Sequence, residues 1–524
     1  MNLKRSARSR RHATLSAPTT AIARTMGIAL TLALAAVHPA LAYRPAGLTG
    51  RASSARQVNR AGTCRLVHHR YVTLPGFHPV GFCMSLRPAA HTAPGYVLLT
   101  PRPSPRLDPG GQFAAMILDD AGRVVWYSPR IDRVHDLKTV RYQGRRLLAL
   151  FQRRDPGKGY YELLDEHYRV VTRVYVGKGY ATDSHEFQVT PRGTAYLDSY
   201  HVVKVPGAGR VTDYMVREID LKTRAVLFEW HALDHVPVSA SFVRRPTNGR
   251  AWDYFHGNSI EPPEPGGDTI LVSSRNTSAV YGIDRSTGAV RWILGGKRDG
   301  FGIARHHPDW VFCGQHDARR WSDGSISIFD NGGSGKRTGV GCPVHAARVE
   351  RFRLDAPRRT VRRVSVIASR RSAPTGAGLF ATAVGSARRQ PNGDTLVNWG
   401  TTGVVTEITP SRRINFALHI EPWTYRAVRS AWVGVPTGRP AVAARSVSGD
   451  SIDVWASWNG ATQIVRWHVL AGDAPDTLRP VGPAFRFGGL ETRMRVRGAG
   501  RYVAVRATDS NGRELRRSCA VRVR

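Results

Sequence analysis

Three histidines, His185, His256 and His316, open similar stretches of chain. These read His185-Glu-Phe-Gln-Val-Thr-Pro-Arg-Gly-Thr-Ala-Tyr-Leu197, His256-Gly-Asn-Ser-Ile-Glu followed by Gly267-Asp-Thr-Ile-Leu-Val272, and His316-Asp-Ala-Arg-Arg-Trp-Ser-Asp-Gly-Ser-Ile-Ser-Ile328. A single histidine beside a strand is usually a structural hydrogen-bonder. Three in register on converging strands define a pocket. Arg275, in Ser273-Ser-Arg-Asn-Thr-Ser-Ala-Val280, adds a guanidinium whose forked donors match the oxygens of phosphate, sulfate or carboxylate. Two chemistries fit this set. Three imidazoles can hold zinc. Alternatively, one imidazole acts as nucleophile toward an anionic group, with its neighbours as acid and anion clamps. Arg275 favours the second, because it repels a cation and attracts an oxyanion, so neither metal nor cofactor is expected.

The elements that must carry these residues are short strands joined by glycine turns. A fourth copy of the histidine unit, Gly385-Ser-Ala-Arg-Arg-Gln-Pro-Asn-Gly-Asp-Thr-Leu-Val397, has lost the histidine, and a weaker first copy begins at His135. A second recurrent unit runs from an Asp turn into a Trp strand, at Asp119 to Trp126, Asp220 to Trp230 and Asp284 to Trp292. Histidine spacings of 71 and 60 residues suit one four-stranded blade each, whereas a β-helix needs much shorter coils. The expected architecture is all-β, with a six-bladed β-propeller over residues 43–436. Its innermost strands would line a central channel and bring the histidines together. Past Pro436-Thr-Gly-Arg-Pro440 the pattern changes to alternating strands such as Ile464 to Leu470 and Tyr502 to Ala507, with turns at Trp458-Asn-Gly460 and Ser510-Asn-Gly512. Residues 437–524 read as a small fibronectin type III/Ig-like β-sandwich with an accessory role.

The formal net charge is +38, which favours anionic partners. No zinc-finger spacing, RNA-binding signature or helix interleaving Arg with aromatics is present, so nucleic acid is not expected. Residues 1–42 read as a secretory signal peptide. A basic stretch precedes the apolar run Met26 to Val37, and Pro39-Ala-Leu-Ala42 offers a cleavage site. The run is too short to span a bilayer, and no later segment would do so. The expected location is therefore exported: secreted, periplasmic or wall-associated. Export permits disulfides. Of five cysteines, Cys64–Cys83 and Cys313–Cys342 are the expected pairs, with Cys519 free.

The stretches His256-Gly-Asn-Ser-Ile, Ser274-Arg-Asn-Thr-Ser-Ala-Val-Tyr-Gly-Ile-Asp, Trp292-Ile-Leu-Gly-Gly-Lys, Gln315-His-Asp-Ala-Arg and Phe329-Asp-Asn-Gly resemble the arylsulfotransferase family in its actinobacterial-type branch. Asp183-Ser-His-Glu-Phe-Gln and Asn392-Gly-Asp-Thr-Leu-Val-Asn-Trp-Gly400 fit as well, in order, from about Pro94 to Pro436. The resemblance implies a six-bladed propeller and a sulfotransferase that uses no nucleotide donor. Such an enzyme moves sulfuryl from a phenolic sulfate ester to a phenolic acceptor. By motif, His316 resembles the residue that becomes sulfated, while His185, His256 and Arg275 resemble the groups around the sulfuryl oxygens. Asp317 would either orient an imidazole or sit in a surface turn. Two other functions compete. One is a non-catalytic envelope protein binding an acidic cell-envelope polymer. The other is a quinoprotein-like dehydrogenase, suggested by the Trp turns but lacking a calcium carboxylate cluster.

Overall fold

In the computed structural model of the chain the described residues are 64–524 except 87–90, 103–110, 132, 155–158, 334–343, 370–377, 448 and 499. The expected leader and Cys342 lie outside them. Strand accounts for 49% of the described residues and helix for 4%, so the all-β expectation holds.

Six antiparallel sheets, A to F, fill the chain from Phe82 to Ser430. Each is named here from its leading strand outward. Sheet B is Val134–Tyr142, Arg145–Arg153, Gly159–Leu164 and Val170–Val174. Sheet C is Phe187–Val189, Thr194–Val205, Gly209–Asp220 and Val226–His231. Sheet D is Gly257–Glu261, Thr269–Ser274, Ala279–Asp284 and Val290–Gly295. Sheet E is Arg-rich: His316–Arg320, Ile326–Asp330, Arg348–Asp355 and Thr360–Ala368. Sheet F is Ser386–Arg389, Thr395–Asn398, Val404–Ile408 and Ile414–Ile420, with Phe82–Leu86 added outside. Sheet A joins distant parts of the chain. Its leading strand Thr424–Ser430 pairs with Tyr96–Pro101, followed by Met116–Leu118 and Val124–Tyr127.

The Asp turns do what their chemistry dictates. Asp119, Asp220 and Asp284 accept backbone N–H groups two to four residues on, turning the third strand of sheets A, C and D into the fourth. Trp126, Trp230 and Trp292 lie on those fourth strands. Six apolar clusters fill the spaces between consecutive sheets, A against B through to F against A. The leading strands also lie against one another in a closed cycle, because Thr424–Ser430 touches both Ser386–Arg389 and Val134–Tyr142.

Where the leading strands meet, the interior is ionic rather than apolar. Arg426 is the hub. Its Nη1 donates to Asp136 Oδ1 (3.1 Å), its Nη2 to Glu186 Oε2 (3.0 Å) and its Nε to Asp317 Oδ1 (3.2 Å). It also donates to the carbonyls of His185 and Asn258, at 2.7 and 2.9 Å. Arg319 bonds Glu186, Asp317 and Glu261, Lys138 pairs with Asp136 and Glu186, and Arg388 with Asp317. Burial pushes the Glu186 carboxyl up, but Arg319, Arg426 and Lys138 outweigh it and hold the group well below the ordinary range. Asp317 is thus fully engaged in this network. It neither orients an imidazole nor sits in a surface turn.

Beyond Pro440, Ala441–Ser446, Ser451–Ser457 and Glu491–Arg497 form one sheet. A second contains Arg479–Arg486, Arg466–Gly472, Tyr502–Thr508 and Glu514–Arg517, with Val521–Arg522 on Tyr502–Thr508. Trp467, Val454, Val469, Val503 and Val505 are buried between the two. The Trp458-Asn-Gly460 turn is more than a strand connector, because it docks on sheet A. Gly460 N–H donates to Val125 O (2.9 Å), Leu490 N–H to Val124 O (2.6 Å), and the Asn459 amide both accepts from Tyr127 N–H and donates to Tyr127 O. These bonds occupy the exposed edge of Val124–Tyr127, which would otherwise offer itself to a foreign strand. The expected Cys64–Cys83 disulfide forms and ties the N-terminal segment to Phe82–Leu86, and Cys519 is free and exposed as expected.

Removing one partner from a buried ionic network strands the others. Arg426→Met should therefore cost about 3–5 kcal/mol, read as a lower urea midpoint. Arg358→Met, at a pair whose Arg side chain is 80% exposed, should leave the midpoint unchanged. Equal midpoints for the two variants would refute a structural role for the network.

Candidate active site

A regular strand sends consecutive side chains to opposite faces. The leading strands of sheets B and E depart from this just after an imidazole. Pairing slips between His135 and Lys138, and between His316 and Arg319, with Asp136 and Asp317 in the left-handed region at φ 51° and 56°. Such a bulge bends the strand and re-aims its side chains. It lets His135 and His316 face one end of the leading strands while the next residue enters the ionic network. His185 precedes its strand and is followed by Glu186 in the same way.

His256 and Arg275 reach the site from two strands of one hairpin. Gly257 pairs with Ser274, and Arg275 N–H donates to His256 O at 2.9 Å. Arg275 therefore ends the partner of the strand that His256 precedes, and antiparallel pairing brings both to the same end. Gly257 is required here: a Cβ would stand 2.1 Å from the Tyr214 ring.

The four expected residues share one neighbourhood. The His185 and His256 rings meet edge to face with centroids 5.1 Å apart. His316 is close enough to both, and to Arg275, for their charges to act on it. Tyr200 lies 5.6 Å from His185 and 5.8 Å from His256, and Tyr425 5.6 Å from His185. A fourth imidazole, His135, packs against Tyr425 with the rings tilted and their centroids 4.9 Å apart. Arg102 acts on His135, and burial followed by the charge of Arg153 pushes Arg102 down to about 10.

Each of the three expected histidines is anchored through Nδ1, but not by the same kind of group. His185 Nδ1 contacts Asp183 Oδ1, and His256 Nδ1 lies 2.6 Å from Asp253 Oδ2. His316 Nδ1 instead lies 2.7 Å from Asn331 Oδ1. The Asn331 amide nitrogen donates to the carbonyls of Ala381 and Val384, so its oxygen is the acceptor toward His316. That assigns the proton to His316 Nδ1 and the lone pair to Nε2. Val384 N–H donates to that Nε2 over a long 3.3 Å, from a β-branched residue held at φ 54°.

Electrostatics separate the imidazoles further. Burial first, then the charge of Arg275, drives His316 well below its ordinary value, against the upward pull of Asn331. Burial, Arg102 and His185 do the same to His135. Burial raises the Asp183 carboxyl, but His185 outweighs it and the group ends lower than usual. Asp198, beneath it, is raised well above the carboxylate range by burial and by the charges of Asp183 and Glu186. Arg275 donates to Asn276 Oδ1 and Thr382 O, and its buried Nε has no partner among the described residues. A neutral imidazole whose Nε2 lone pair takes only the long Val384 N–H bond, beside an underused guanidinium, suits attack on an anionic group. Asp183, His185 and Asp198 also place their donor atoms within 4.8 Å of one another and could hold a cation.

His135, Tyr200, Tyr425, Asn331, Asp183, Asp253 and Arg102 were not singled out as site residues from the sequence. His135 carried a signal, as the start of the weaker first repeat. Asn331 and Asp183 stand inside the quoted motifs Phe329-Asp-Asn-Gly and Asp183-Ser-His.

The model of the arylsulfotransferase (ASST) family matches residues 140–420, and the chain belongs to that family. Membership supports an arylsulfotransferase-type enzyme with phenolic substrates. No curated protein matches the chain. Among solved structures it is similar to a protein of unknown function from Bacteroides caccae, at 12% identity over 64% of this chain and 98% of that one, TM-score 0.40. It is also similar to virginiamycin B lyase from Staphylococcus aureus, at 9% identity over 71% and 91%, TM-score 0.28. A third is hydrazine synthase from Kuenenia stuttgartiensis, at 11% identity over 66% and 88%, TM-score 0.32.

The depressed imidazoles give a testable pH dependence. Folded, His135 and His316 are neutral; unfolded, each takes up a proton near 6.5. The unfolded chain binds more protons below that pH, so stability falls as pH drops through it, by about 1.4 kcal/mol per unit for each fully linked imidazole. In urea unfolding across the acid range, His135→Gln should flatten this slope. An equally steep slope in the variant would contradict the assigned neutral state.

Proposed function

We propose that the chain transfers sulfuryl groups between phenols by double displacement through a sulfohistidine at His316. The observation that carries the reading is the difference in Nδ1 partners: a neutral amide on His316, carboxylates on His185 and His256. In the first half-reaction His316 Nε2 attacks sulfur. The N–S bond forms, the S–O bond to the aryl group breaks, and the phenolate takes a proton from a neighbouring imidazolium, His185 or His256. In the second, that imidazole removes the acceptor's phenolic proton, the phenoxide attacks sulfur, and the N–S bond breaks to restore His316. Asp183 and Asp253, on the Nδ1 atoms of His185 and His256, orient these rings for the exchange. Arg275, whose Nε has no partner among the described residues, and the Val384 amide, released from Nε2 as the N–S bond forms, then bond the sulfuryl oxygens. Such transfers depend mainly on positioning and charge complementarity.

The same reading takes the six sheets as the blades of a β-propeller over residues 43–436 and residues 437–524 as a fibronectin type III-like sandwich. The cycle of leading strands and the six inter-sheet clusters support the first. The two facing sheets around Trp467 support the second. Export behind a signal peptide at 1–42 is supported by the Cys64–Cys83 disulfide. Among the described residues no helix is long and apolar enough to cross a membrane. An envelope polymer as partner gains no support from the site.

The test is a chromogenic phenyl sulfate incubated with the purified protein, with and without phenol. Phenol-dependent colour release should vanish in His316→Ala and fall about 10²–10³-fold in Arg275→Ala, the range for removing an oxyanion donor. Release that ignores the acceptor would mean hydrolysis instead. No release from any of several aryl sulfates, with the fold intact, would contradict the enzyme reading.

A further inference from the structure

A second cluster of imidazoles lies on the other face of the strand that carries Tyr200. His201, the next residue, points away from the active site and pairs directly across the ladder with Asp213. His231, on the following strand, pairs with Met215, two residues from Asp213 and so on the same face. Three adjacent strands of sheet C therefore aim two imidazoles and a carboxylate at one point, with donor atoms all within 4.8 Å of one another. Asp213 Oδ2 lies 2.7 Å from His231 Nδ1 and 3.5 Å from His201 Nε2. The other carboxylate oxygen, Oδ1, accepts Leu233 N–H at 3.1 Å, which leaves Oδ2 for the cluster.

The surroundings are those of a ligating histidine. The outer nitrogen of His231, Nε2, meets Glu229 Oε1 at 3.3 Å. Glu229 is in turn clamped by Arg217, whose side chain is fully buried, through Nε and Nη2, both at 2.7 Å. A carboxylate on the far nitrogen fixes the tautomer and ring orientation of a metal-bound imidazole. His201 is held by an edge-to-face contact with Tyr180 at 4.9 Å. Its Nδ1 is buried and without a partner among the described residues. The His201 and His231 side chains are 23% and 21% exposed, which gives an ion a way in.

We propose that His201, Asp213 and His231 form a structural site for a borderline divalent cation such as Zn²⁺, with Glu229 as the residue that positions His231. Two imidazoles and one carboxylate suit that class of ion and leave a coordination position for water. The ion would cross-link three strands behind Tyr200, on the reverse of the wall that faces His185 and His256. The site stands apart from the sulfuryl pocket and from its Asp183, His185 and Asp198 group.

The purified full chain, stripped with a chelator, would be titrated with Co²⁺ alone and followed by its visible ligand-field absorption. A single equivalent should bind with a low-symmetry spectrum and be displaced by Zn²⁺. Asp213→Asn and His231→Gln should abolish the signal. Glu229→Gln, which removes no ligand, should weaken binding about 10–100-fold. His185→Gln should leave the titration unchanged, and Zn²⁺ should raise the melting temperature of the parent chain but not of His231→Gln. Absence of a saturable signal in the folded parent would overturn the proposal, leaving a hydrogen-bonded His–Asp–His triad. So would a signal lost in His185→Gln and retained in His231→Gln.

Discussion

The arrangement depends on keeping charge buried where the leading strands meet. A buried ion pair is tolerable only when its remaining hydrogen bonds are made. Arg426 reaches that condition by taking acceptors from sheets B, C, D and E while sitting on sheet A. Arg388 extends the set to sheet F through Asp317. A slip of one residue in any of these strands would turn its charged side chain out of the network. Register is therefore fixed most strongly where the leading strands meet, next to the candidate site. His135, His185, His316 and Tyr425 each immediately precede a network member, namely Asp136, Glu186, Asp317 and Arg426. Network and pocket are consecutive residues of the same strands, so fixing one positions the other.

With the rings fixed, their second nitrogens decide what each can do. A carboxylate on Nδ1 orients an imidazole to carry protons through its other nitrogen, whereas a neutral amide oxygen fixes only the tautomer. Asp183 and Asp253 stand behind His185 and His256, and Asn331 behind His316. Burial and the positive charge of Arg275 reinforce the neutral state of His316. One pocket thus holds a neutral nitrogen lone pair beside groups suited to carry protons and positive charge. Sulfuryl transfer needs both, at the same time and within a few ångströms of each other.

Much of this was legible in the residues. The histidine repeats gave the hairpins that open sheets C, D and E, and the Asp turns gave the passage to the outer Trp strands. Repetition failed where the chain breaks its own order. Thr424–Ser430 finds its partner at Tyr96–Pro101, more than three hundred residues earlier, so Tyr425 and Arg426 follow no local hairpin pattern. Asp317 was misjudged because a charged residue in a polar stretch reads as solvated until several cations from other sheets are seen around it. The docking role of Trp458-Asn-Gly460 was equally hidden, since a hairpin turn and an edge-capping turn use the same residues.

The most direct test of this account is a crystal structure of the chain soaked with an aryl sulfate in the absence of acceptor. The account predicts sulfur bonded to His316 Nε2, its oxygens facing Arg275 and the Val384 amide, and Asn331 still on Nδ1. Sulfur on another side chain, or an intact ester bound away from His316, would contradict it.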